Sequence, residues 1–153
     1  MIKQNLSVTL LALCMSATIW GQADEKKCIF ISTSHLDTQW NWTARTTLEE
    51  YIPNTMTQNF PLFEKYPEFH FNFEAAIHYM WMKEYYPEEY EKVKKYITEG
   101  RWHISGGSIN ASDVMVPSAE SVIRNFLYGQ SYYKKEFGRK GGTDIMLPDC
   151  FGF

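Results

Sequence analysis

Positive charge is scarce in this chain, and that closes off one class of partner. Fifteen Lys and Arg against eighteen Asp and Glu leave a formal net charge of -3. Such a balance offers no basic field for nucleic acid. Long apolar runs are missing too: the longest, Leu6 to Ile19, falls short of the roughly 20 residues a membrane span needs. Cysteine is rare, and only Cys28 and Cys150 lie outside that amino-terminal stretch. The sequence places Cys28 at the start of one strand and Cys150 just past the end of another. In a parallel sheet that separates them by about 20 Å, whereas bridged Cα atoms lie within about 7 Å. A disulfide between them is therefore not expected. There is no internal repeat and no low-complexity segment.

Aromatic residues are abundant by contrast, at 16% within a globular 44% hydrophobic composition. They suit a sugar-binding cleft and a large core equally. A length of 153 residues has room for one modest domain. Residues 1–23 read as a secretory signal: Lys3 supplies the basic start, Leu6 to Ile19 the apolar run, and Gly21-Gln22-Ala23 a small-residue end. Residues 24–153 then form the mature segment, exported to the periplasm or beyond.

Strands and helices alternate along that segment. Ile29-Phe30-Ile31 opens a buried strand. Thr46 to Lys65 is mostly helical, with Pro53 and Pro61 expected to split or kink it. Glu68 to Phe73 alternates, putting Phe69, Phe71 and Phe73 on one face and His70 and Asn72 on the other. Ala75 to Tyr85 and Pro87 to Glu99 are helical, with Pro87 at a first helical position and Gly100 as a stop. Arg101 to Ile109 reads as a third strand, in which Gly106-Gly107 marks a bulge or a close approach. Ser118 caps a long helix running to Phe137, and Asp144 to Leu147 reads as a fourth strand. This is an α/β chain with a parallel sheet, whose chemistry collects at the carboxyl ends of the strands.

His35, Asp37, Asp113 and Asp149 all fall just after strand ends. In extended chain, residues two apart point the same way, so His35 and Asp37 can converge on one point. That imidazole and carboxylate suit zinc, which accepts nitrogen and oxygen ligands. Trp40 follows as an apolar wall, and Asp113 lies in the loop after the third strand. His70 and His103 read as packed or satisfied histidines. Residues 144–153, DIMLPDCFGF, repeat the grammar of strand, then carboxylate, then turn.

Taken together, His35-x-Asp37-x-x-Trp40 and Asp149-x-Phe151-Gly152 resemble the catalytic domain of glycoside hydrolase family 38, the zinc-dependent retaining α-mannosidases. Gly100-Arg101-Trp102 with Gly106-Gly107, and Pro117 to Ser121, are similar to bacterial members. The resemblance covers roughly residues 28–153. It implies the first part of an incomplete (β/α)-barrel-like domain. It implies zinc held by His35, Asp37, Asp149 and a further histidine, with Asp149 also the nucleophile. Trp40 would pack against a mannose-containing oligosaccharide, and Asp113 is a candidate substrate-binding residue by its place in the loop where the third strand meets the next helix. The family's general acid and last histidine lie beyond the Asp-x-Phe-Gly motif, so the 153-residue chain alone is expected to be inactive. A zinc-dependent carbohydrate deacetylase and a non-catalytic sugar- or metal-binding remnant are the alternatives.

Overall fold

The computed structural model describes residues 28–138, 144–147 and 149. The chain divides into two compact units, Met1–Phe30 and Ile31–Phe153. The first is described only at residues 28–30, which are exposed. The proposed signal segment and Cys150 lie outside the described residues, while Cys28 is an exposed free thiol.

The second unit is built on three short strands, β1 (Ser32–Ser34), β2 (Phe71–Phe73) and β3 (Trp102–Ile104). They pair in parallel in the order β1-β2-β3, and helices fill every connection. The α/β reading with a parallel sheet is therefore correct. The register puts Ser34, Phe73 and Ile104 level with one another. The residues that follow them, His35, Glu74 and Ser105, consequently emerge side by side.

Four boundaries differ from expectation, the first being β2, which covers only Phe71–Phe73 of the expected Glu68 to Phe73. Residues 29–31 precede β1 and are 71–91% exposed. An apolar run makes a buried strand only where other layers cover it, and β1 is an edge strand. β3 stops at Ile104 because Gly106 takes a φ of +63°, outside extended geometry. Asp144–Leu147 forms no strand. Instead it runs beside the Gly106 turn, where Asp144 Oδ2 accepts a hydrogen bond from Gly106 N at 3.1 Å.

The first helical stretch has three parts: α1 (Ala44–Thr46), a π-helical turn (Thr47–Tyr51) and α2 (Ile52–Lys65). Pro53 lies in the first turn of α2 and Pro61 inside it. Proline lacks the N–H that the carbonyl four residues back requires, and its ring crowds that carbonyl. The wide π turn just before Pro53 absorbs the mismatch there as a local change of winding, while α2 runs on through Pro61 without the expected split. Then come α3 (Ala76–Tyr85), α4 (Pro87–Thr98) and α5 (Ala119–Phe137). Ser118 caps α5 by accepting from Ser121 N, and Gly138 ends it in the left-handed region. Among the described residues no helix is long and apolar enough to cross a membrane.

The core lies between the sheet and the helices. Trp102 is fully buried among Phe63, Phe71 and Phe73. Its Nε1–H donates to Tyr79 Oη at 2.9 Å, and Tyr79 Oη donates to Phe73 O. Arg101 stacks over Phe63 and donates to the carbonyls of Phe63 and Tyr66, finishing the end of α2. On the opposite face of the sheet, the exposed His70 and His103 pair with each other at 3.2 Å. Each is satisfied by the other, on the surface and not inside the sheet.

Helix α5 meets the loop after β3 at Gly129. A Cβ there would sit 2.3 Å from Gly107 O and 2.5 Å from the Ser108 carbonyl carbon. Both are backbone atoms, which cannot rotate away. The expected result of Gly129→Ala is a loss of about 2 kcal/mol or more, despite alanine's better helix propensity. Urea denaturation checks it; an unchanged midpoint would show that α5 and the loop separate freely.

Candidate metal and sugar site

The site starts from two strand ends. Leu36 is buried in the core, which turns its neighbours His35 and Asp37 to the same outer side. Their side chains approach to 3.4 Å, His35 Nε2 to Asp37 Oδ1. His35 Nδ1 lies 2.9 Å from Glu74 Oε1, the contact that the level ends of β1 and β2 impose. Glu74 is only 2% exposed. Burial pushes its carboxyl up from the ordinary value, against the lowering effect of its bond to His35.

Beneath this pair lies His78, fully buried on α3. Its Nδ1–H donates to Glu74 O at 3.2 Å, while Nε2 has no hydrogen-bond partner. Burial pushes His78 down to about 4. Its neutral form is the one that folds, so the unfolded chain takes up the extra proton between pH 6.5 and 4. The stability it contributes is complete above pH 6.5 and falls away as pH drops toward 4, by on the order of 3 kcal/mol. Glu74, raised from 4.5, acts in the opposite sense, losing stability as pH rises above that value. Comparing the wild type with His78→Asn isolates the histidine. The difference in their unfolding free energies should narrow toward acid and level off near pH 6.5. A pH-independent difference would contradict the assignment.

The loops around the pair are tied down by side chains. Buried Thr47 donates to Thr38 O at 3.0 Å and accepts from Trp42 Nε1–H at 2.7 Å. Thr38 reaches Asn110 Oδ1 at 2.7 Å, joining the loop after β1 to the loop after β3. Asn125 on α5 then clamps that second loop. It accepts from Asn110 N and donates to Asn110 O and to Ser112 Oγ, each at 3.0 Å. Trp40 stands 65% exposed. Asp113 is exposed and accepts from Met115 N at 2.9 Å, closing a small turn. Asp149 is an exposed turn residue.

The structure therefore brings His35 and Asp37 together and adds Glu74 behind them. Among the described residues no group of three or more His, Cys, Asp or Glu side chains gathers to hold a metal ion, so Asp149 is not brought to the pair. The two residues still fit a metal. His35 Nε2 is buried without a hydrogen-bond partner, beside a carboxylate and with the other ring nitrogen engaged by a second one. Neutral imidazole binds metals in this state. Sequence reasoning missed Glu74 and His78; Glu74 had a signal, as the carboxylate following an alternating strand, level with His35.

Residues 25–153 match the glycosyl hydrolases family 38 N-terminal domain. The chain belongs to this family. Among its relatives is alpha-mannosidase G of Dictyostelium discoideum, 41% identical over 119 residues. Human alpha-mannosidase 2C1 is 34% identical over a stretch of the same length. Each match takes in 78% of this chain but only 11% of the relative. A family 38 protein of known structure from Enterococcus faecalis superposes with a TM-score of 0.64 at 27% identity, over 80% of this chain and 14% of that one. An alpha-mannosidase from Enterococcus faecalis V583 gives 0.61 at 29%, over 72% and 12%. The family is one of glycoside hydrolases, and membership in it favours neither a deacetylase nor an unrelated binding module.

Proposed function

We propose that this segment belongs to the active site of a zinc-dependent retaining α-mannosidase acting on terminal α-mannosides of glycans. The observation that supports this most is the convergence of His35 and Asp37 at the end of β1, in a family 38 chain with relatives named alpha-mannosidase. In this reading His35, Asp37 and Asp149 are metal ligands. Bound zinc would supply a Lewis acid that anchors sugar hydroxyls. Asp149 attacks the anomeric carbon and forms a covalent glycosyl ester. A second carboxyl group, supplied by the assembled catalytic domain, gives its proton to the leaving oxygen. That group then takes a proton from water, which displaces Asp149. Trp40 lays its exposed ring against sugar C–H groups, and Asp113 offers a carboxylate at the cleft's rim. Residues 1–23 direct export and are removed.

Two successive inversions give net retention. Proton NMR of an aryl α-mannoside digest by the assembled catalytic domain is expected to show α-mannose first, before mutarotation. Initial release of β-mannose would overturn the mechanism.

A further inference from the structure

We propose that Glu74 is a positioning residue that holds His35 in its metal-binding tautomer. The proposal rests on the zinc reading above and extends it to a residue outside the ligand set. A neutral imidazole carries one proton, shared between two competing nitrogens. The Nδ1 contact with Glu74 is 2.9 Å, while the Nε2 contact with Asp37 is 3.4 Å. The shorter contact, to a carboxylate that is itself 2% exposed, places the proton on Nδ1. Nε2 is left with a lone pair and no hydrogen-bond partner, facing Asp37. A carboxylate behind a histidine fixes both the tautomer and the ring orientation of a metal ligand.

Glu74 is itself held in place. Its carbonyl accepts from His78 Nδ1–H. The next residue, Ala75, has a φ of +67°, which turns the chain sharply from β2 into α3. The turn is pinned by Ala76 N and Ile77 N donating to Ser108 O and Ile109 O. The strained backbone is thus fixed by the loop after β3, and the Glu74 side chain stays level with His35.

The test has two readouts on the full chain near pH 8. The first is the nitrogen-15 NMR signature of the His35 ring without metal. Wild type is expected to show the Nδ1–H tautomer, and Glu74→Ala mostly Nε2–H. The second is zinc affinity by competition with a chelator. Glu74→Ala is expected to bind roughly 10- to 100-fold more weakly. Glu74→Gln keeps the shape and an acceptor oxygen, so it should retain the tautomer and lose less affinity. Far-UV circular dichroism confirms the fold, and Glu74→Gln keeps the test readable if the alanine variant unfolds. Zinc affinity within twofold of wild type in every folded variant, or an unchanged tautomer in Glu74→Ala, would overturn the proposal. If the wild type binds no zinc, the metal reading fails, while the NMR arm still decides what Glu74 does to His35.

Discussion

Asp149→Asn should lower turnover of an aryl α-mannoside by on the order of 10³-fold or more in the assembled catalytic domain. An amide oxygen is a poor nucleophile and a poor leaving group, so both halves of the double displacement fail. The substitution nearly preserves shape, so folding should change little. The signature is therefore a collapse of kcat. Because Asp149 is also a proposed zinc ligand, metal content falls as well, and assays with added zinc separate the two contributions. Turnover of Asp149→Asn within tenfold of wild type would assign the attack to another carboxylate.

Trp102→Ala should destabilise the fold by about 3–5 kcal/mol, enough to unfold much of the population. Trp102 is the largest fully buried side chain among the described residues. It comes from the middle of the region where sheet and helices meet, with three phenylalanine rings around it. Truncation leaves a cavity that rigid rings cannot close. It also removes a donor to Tyr79 Oη. Trp102→Phe refills much of the volume and loses the hydrogen bond, so it should recover more than half of the loss. Chemical denaturation followed by circular dichroism checks both. Equal stability of Trp102→Ala and wild type would mean that the core lies elsewhere.

Much of the fold was legible because it depends on local pattern. Alternation in residues 69–73, the caps at Ser118 and Gly138, and the helical start at Pro87 all act within one or two turns of the chain. The caps and the helical start appear where the pattern put them, and the alternating stretch forms a strand only over Phe71–Phe73. Strand lengths were not legible. Residues 29–31 look like a buried strand, and only the position of β1 at the sheet edge shows otherwise. Asp144–Leu147 has strand-like composition, yet it lies against the Gly106 turn.

The candidate site divides along the same line. His35 and Asp37 come from one short motif, and geometry two residues apart follows from extended chain alone. Glu74 is 39 residues from His35, and their contact depends on the register between β1 and β2. His78 was hidden for another reason. On an apolar helix it looks like any packed histidine, and only its depth and its bond to Glu74 O distinguish it. Gly129 shows the same limit, whereas the close approach at Gly107 was readable from the paired glycines. The role of Gly129 is a close approach between a loop and α5, which involves residues far apart in the chain.

The most direct measurement is zinc titration of the purified chain by calorimetry, with His35→Ala and Asp37→Ala alongside. One zinc per chain is expected for wild type, with each variant weakened by about 100-fold or more, because each removes a donor that no neighbour replaces. No zinc binding by the folded wild type, or binding that survives loss of His35, would contradict the site described here.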